Sequence, residues 1–314
     1  MAYAQGDQIL KDHYNTFATG SAAGTADHNV ANINTVWGVG NGNKGYGQST
    51  TLSAVATGDT VTATQWSTLI ARLNSILTHQ AGAGSGVTSP TAGVLITYLS
   101  TLSGKITDAY NNRANFNSTR SSVTSDSTRN GSWNTSSPTT FTQVRTVTFQ
   151  DADKARYFFN GGGRLTFKVA ATGAAGTTKE TNWINLINNG LGSVHLDYTT
   201  CTRTGSQETL TTDGSANGYW DLTTSDTKLF RITQDTGPYT GSYLDVWAKV
   251  AGTVGSNGGL GTDVIFTITY TDDGSSSWND NVNLTINCQV DIYKPETTNL
   301  TDVWGTISVA STTN

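Results

Sequence analysis

The spacing of apolar residues changes period once along the chain. Up to about residue 116 it is helical. Leu10, Tyr14 and Phe17 form one short stripe, and Val30, Ile33 and Trp37 form a second. The strongest helix follows Val61. Thr62 and Gln65 are placed as a capping box and Val61 and Trp66 as a hydrophobic staple, while Trp66, Leu69, Leu73, Ile76 and Leu77 share one face. Ala-Gly-Ala-Gly-Ser-Gly then stops it. A fourth stripe runs Leu95, Leu99, Leu102, Ile106, Ala109 and Arg113. Packed together, the four stripes predict a small helical docking region over residues 1–116.

Residues 117–140 are rich in Ser, Thr and Asn and end in Ser-Ser-Pro, which predicts a linker or extended arm. Beyond them the period is two. Ala155, Tyr157 and Phe159 alternate, and after Gly161-Gly162-Gly163 so do Leu165, Phe167 and Val169, which predicts a hairpin with a glycine turn. Further strands are predicted at 194–198, 229–233, 244–250 and 264–270. The clearest is the alternation Val282, Leu284, Ile286, Cys288, Val290, Ile292. A helical turn or two at Trp183, Leu186 and Ile187 stops at Gly190. Six to eight strands with Gly, Asn and Asp turns predict an antiparallel β-sandwich over 141–314, and the whole chain an α+β fold.

Composition adds a second inference. Of 314 residues only 13% are charged, 34 are Gly and 8 are Trp, and about one in six is Thr. That is the makeup of an exported, outward-facing β-protein. Met1 is followed by Ala-Tyr-Ala-Gln-Gly-Asp, with neither the basic n-region nor the apolar h-region of a secretory signal. The expected route out is assembly in the host cytoplasm into a virion released by lysis. Net charge is −5 and Lys and Arg are scattered, which argues against nucleic-acid binding. No apolar run reaches the roughly 18 residues a membrane span needs.

Two segments carry a resemblance. Ala155-Arg156-Tyr157-Phe158-Phe159-Asn160-Gly161-Gly162-Gly163-Arg164-Leu165, followed by Asn182-Trp183-Ile184-Asn185-Leu186, resembles a β-module of virion structural proteins from tailed bacteriophages. The module is most familiar from phages of cyanobacteria. The Val61 to Gln80 segment, with Trp66 and a closing Thr78-His79-Gln80, is similar to a helical segment upstream of that module, and Gly38 to Gln48 fits the same pattern. Together these matches cover roughly a third of the chain and contain no catalytic motif. The resemblance implies a tail-associated or other surface virion protein and carries over no functional residue.

Signals for chemistry are sparse. His13, His28, His79 and His195 form no H-x-x-x-H or H-x-x-E pair, and none neighbours a cysteine. His79 closes a helix, where an imidazole meets the C-terminal end of the dipole favourably. His195 falls on the strand face opposite Val194 and Leu196 and is expected to be solvated. Gly161–Gly163 precedes a strand, so it reads as a turn and not a phosphate cradle. No Gly-x-Ser-x-Gly elbow occurs. Cys201 and Cys288 match no metal or redox spacing and are expected as buried free thiols, with pairing the alternative.

Acidic and aromatic clusters remain. Asp151 and Asp153 share a turn, and Asp272, Asp273 and Asp280 bracket Gly274 to Trp278. These are expected as solvated turns. Calcium at Asp272, Asp273 and Asp280 is the alternative, since loop carboxylates suit its flexible oxygen coordination. Trp133, Trp220, Trp278 and Trp304 lie in or beside polar, turn-rich stretches. They are the candidate contacts, as subunit anchors or platforms for a sugar ring, unless loops fold back and bury them. No catalytic residue, cofactor or metal ligand is nominated beyond these.

The chain is therefore expected to be a non-enzymatic structural component of a tailed phage virion. A tail-associated baseplate, tail fibre or adaptor protein is expected first, a homo-oligomer docking onto other virion proteins. The alternatives are a capsid decoration or head-fibre protein, and a carbohydrate-binding module for host surface glycans.

Overall fold

The computed structural model describes residues 10–49, 51–92, 96–117, 119–120, 122–126, 128–136, 139–173, 176–235, 237–253, 260–274 and 281–313. They fall into two compact units. One comprises Met1–Ser121, Arg156–Gly162 and Pro295–Val303, and the other Ser122–Ala155, Gly163–Lys294 and Trp304–Asn314. The helical unit thus draws on three separate stretches of sequence, of which periodicity marks only the first.

In that unit lie α1 (Lys11–Thr19), α2 (Ile33–Trp37), α3 (Ala63–Ala81) and α4 (Leu99–Asn111). The predicted stripes form its core. Tyr14, Ile33, Trp66, Leu69, Leu73, Ile76, Leu102 and Ile106 are all buried, each contributing about 1.5–3 kcal/mol of apolar burial. Tyr14 and Phe17 meet the Trp66 ring edge-on at 5.7 and 6.1 Å. The capping box of α3 forms as predicted: the Gln65 N–H donates to Thr62 Oγ1 and Gln65 Oε1 accepts from the Thr62 N–H. The helix ends at Gly82, whose φ of 77° suits glycine. Leu10 and Val30 stay exposed at the edges of their stripes, and Leu95 lies outside the described residues. Among the described residues no helix is long and apolar enough to cross a membrane.

The second unit is built on two antiparallel six-stranded sheets. Sheet A runs β1 (Ser122–Ser125), β11 (Val282–Lys294), β4 (Arg164–Gly173), β5 (Ser193–Leu196), β6 (Cys201–Arg203), with β2 (Arg129–Thr135) also paired to β11. Sheet B runs β12 (Ile307–Thr313), β3 (Thr139–Phe149), β10 (Leu260–Asp272), β9 (Tyr243–Thr253), β8 (Thr227–Thr233), β7 (Thr209–Asp213). The predicted alternation of β11 buries its six apolar positions from Val282 to Ile292. Phe167 of sheet A stacks on Phe266 of sheet B at 5.1 Å. Gln143 of β3 reaches across to the Ile286 carbonyl of β11. The chain is an α+β fold whose C-terminal part is an antiparallel sandwich.

Two expectations are corrected. Residues 117–140, expected as a linker or extended arm, hold strands, because β1 and β2 both pair antiparallel with β11. Polar residues that suit a coil also suit the outer positions of a strand, and Ser132 and Asn134 are exposed while Trp133 points inward. Residues 155–160 form no strand either. They belong to α5 (Ala152–Asn160), which starts where Asp151 accepts from the Lys154 N–H at 2.8 Å. Every residue from 155 to 160 is buried, and an unbroken buried run has no period from which to tell helix from strand. The glycine run is then a helix end, with Gly162 at φ 89°, and β4 follows it. A second helix, α6 (Thr178–Asn185), opens on a capping box of Thr177 and Glu180 and runs on as a wider π-helical turn to Leu191.

Candidate functional site

The tryptophans nominated as contacts are core residues. Trp133, Trp220 and Trp304 are 1, 4 and 0% exposed, so none presents a ring to a glycan or a neighbouring subunit. Trp133 stacks on Phe141 at 6.0 Å and meets Trp183 edge-on at 4.8 Å. Trp220 sits in a short 3-10 turn against Tyr198 and Tyr219. Their polar sequence neighbours face outward while the large indole face is drawn inside, which burial energy favours. Trp278 lies outside the described residues.

The calcium alternative fails on Asp272. Its carboxylate is buried, 2.7 Å from the Lys179 ammonium, and accepts from Ser242 Oγ at 3.2 Å. An ammonium already neutralises it, which removes it from a calcium shell. Asp273 is exposed, and Asp280 lies outside the described residues. Among the described residues no three His, Cys, Asp or Glu side chains converge on a metal ion. Asp151 and Asp153 belong to the cap and first turn of α5.

Cys201 and Cys288 are free and fully buried. Burial pushes each thiol up to about 12, far from the thiolate range. His195 is half-buried, with Nδ1 2.8 Å from the Thr166 hydroxyl. Asp291, Thr166 and His195 lie in one row across β11, β4 and β5. That order does not make a proton relay, which needs the imidazole between carboxylate and hydroxyl. Asp291 instead pairs with Lys168. Lys168 also lines a shallow groove of about 370 Å³ with Thr128, Ser193, Asn287 and Gln289.

In the helical unit, His79 and Glu296 form a buried pair that local sequence did not foretell. Nδ1 of His79 lies 2.9 Å from Glu296 Oε1, and its ring meets Tyr46 edge-on at 5.1 Å. Glu296 also accepts from the backbone N–H groups of Thr298 and Asn299 and from Asn299 Nδ2. Burial alone would raise its carboxyl, but these hydrogen bonds outweigh it and hold it at about 2. Among the described residues no group hydrogen-bonds to His79 Nε2, the atom a hydroxyl nucleophile would have to approach. The pair therefore acts as a clamp that fixes segment 295–303 to the end of α3.

The outer face of sheet B brings charged and aromatic side chains together. Cross-strand register lays it out in rows. Thr233, Tyr243, Thr271 and Thr140 make one row; Arg231, Asp245, Thr269 and Thr142 the next; Lys228, Trp247, Thr267 and Val144 the third. At its β8–β9 corner, Arg231 grips Asp245 with two hydrogen bonds, at 2.7 and 2.5 Å, and Lys228 adds a third at 3.2 Å. The Arg231 guanidinium lies 4.0 Å over Tyr243, and the Lys228 ammonium 4.4 Å over Trp247. The bond to Asp245 raises the pKa of Arg231 further. Trp247 and Tyr243 are half-buried. They are the outward aromatics that attention to loop tryptophans missed, although alternation about Leu244, Val246 and Ala248 places them opposite the core. No family model, no curated protein and no solved structure matches this chain.

Proposed function

We propose that this chain is a non-enzymatic structural component of a tailed phage virion, tail-associated as a baseplate, fibre or adaptor part, and that it works by homo-oligomeric assembly. The free edge of sheet B is the observation that carries the reading. β12 pairs only with β3 among the described strands, and residues 306–314 contain neither a charge nor a proline. Soluble proteins usually guard such an edge with Lys, Pro or a covering loop. The opposite edge, β7, is flanked by Glu208, Asp213 and Asp235 and repels its own kind. On β12, Ser308 and Ala310 are exposed and Ile307 and Val309 half-buried. Antiparallel pairing of β12 with β12 of a second copy extends the sheet across a two-fold axis.

Imaging of intact particles tests the virion assignment. Density for the chain around the tail is the expected result. A position on the capsid moves the role to shell decoration, and absence from purified particles overturns the reading. For the edge, light scattering of the purified chain is expected to give an oligomer that Ala310→Lys returns to monomer. A second reading, recognition of host surface glycans, is favoured by the outward Trp247 and Tyr243. It predicts glycan retention that Trp247→Ala abolishes, without any change in oligomeric state.

A further inference from the structure

Among the described residues, one Lys–carboxylate pair has both partners inside the protein. Lys179 and Asp272, both in the sandwich unit, are 0 and 1% exposed along their side chains. Register brings them together. Lys179 and Trp183 stand one turn apart on α6, and Tyr270 and Asp272 two residues apart on the inward face of β10. Trp183 meets Tyr270 with ring centroids 6.5 Å apart, which seats helix against strand, and one step along the amine meets the carboxyl.

We propose that Lys179 and Asp272 join as an intramolecular amide. The Nζ of Lys179 bonds to Cγ of Asp272, and Oδ2 leaves as water. Two protons of the ammonium depart with that oxygen and the third stays on the amide nitrogen. Ammonium plus carboxylate thus balance as one amide and one water, with no oxidant, reductant or co-reactant. The distance from Nζ to Oδ2 is 2.7 Å, yet among the described residues Oδ2 accepts no aligned hydrogen bond. The amine therefore sits close to the acyl group without being held along its lone pairs, within the reach that makes intramolecular attack effective. Ser242 Oγ donates to the other oxygen, Oδ1, and polarises the carbonyl that remains. The Tyr239 ring covers the amine at 5.1 Å.

Burying an ion pair is costly, and an amide removes both charges while keeping the atoms in place. The same burial keeps bulk water from hydrolysing it. With both cysteines free, the bond gives a cross-link between α6 and β10 that needs no oxidising compartment.

The intact mass of the purified full-length chain, measured denatured, followed by tandem mass spectrometry of its tryptic peptides, tests the bond directly. The expected mass is one water below the sequence mass, with a branched peptide joining Lys179 to Asp272 and no cleavage after Lys179. Lys179→Arg is expected to restore the full mass. If that variant does not fold, the wild-type peptide map is sufficient by itself, because it locates the branch. An unmodified mass overturns the proposal. So does a water loss that maps to a cyclic imide at Asp213-Gly214 or Asp273-Gly274, or a link at the more exposed Lys168–Asp291 pair.

Discussion

The two units bury a carboxylate in opposite ways. Glu296 is wrapped by its own neighbourhood, with two backbone N–H groups and one amide from residues 298 and 299 and a single long-range partner, His79. Among the described residues Asp272 has no such local shell. Until the proposed amide forms it depends on Lys179 from a helix and on Ser242, which immediately precedes the neighbouring strand β9. A carboxylate solvated by local backbone tolerates the loss of a distant partner, whereas one that leans on a single distant cation does not.

The largest effect is therefore expected at Lys179. Lys179→Ala strands a buried carboxylate and should cost about 3–5 kcal/mol in denaturant unfolding. The double variant Lys179→Met with Asp272→Leu should recover the part of that loss that comes from the unpaired charge, but not the part that comes from the lost cross-link. Glu296→Ala comes next, at about 2–3 kcal/mol, since it leaves two backbone donors and His79 without an acceptor. A loss as large as that at Lys179 would mean that the hydrogen-bonded shell of Glu296 contributes more than ordinary hydrogen bonds do.

Acid sharpens the contrast. Glu296 sits at about 2, below its ordinary 4.5. Its stabilisation is complete above that ordinary value and disappears as pH falls from there toward about 2. Melting temperature followed across this window should drop more steeply for the wild type than for Glu296→Gln. The smallest effect is expected on the outer face of sheet B. Lys228→Ala should cost at most about 1 kcal/mol, and less in high salt, because that ammonium is partly solvated.

Much of the fold is legible along the chain, for reasons that particular residues make plain. α3 announces both its ends, through Thr62 and Gln65 and then Gly82. β11 is a clean alternation over six apolar positions. β3 is not legible in this way, because its inward face carries Gln143 and Arg145, polar groups that bond across the sandwich to the Ile286 and Cys288 carbonyls. Without that partner strand in view, they read as surface residues. α5 hides for the opposite reason, its residues 155–160 being buried without a break. Of the surface, Trp247 and Tyr243 were within reach of the same alternation that predicts their strand. The loop tryptophans pointed elsewhere because a polar flank says nothing about which way a side chain turns.

Local pattern alone determined the helical start, the sandwich that follows and the capping of α3, since period, caps and turns act over a few residues. Tertiary structure decided which distant residues meet. Segment 295–303 joins the helical unit, His79 finds Glu296, Lys179 finds Asp272, and β12 takes one end of sheet B. Each of these depends on chain reversals summed over many residues, and no short window of sequence carries that sum.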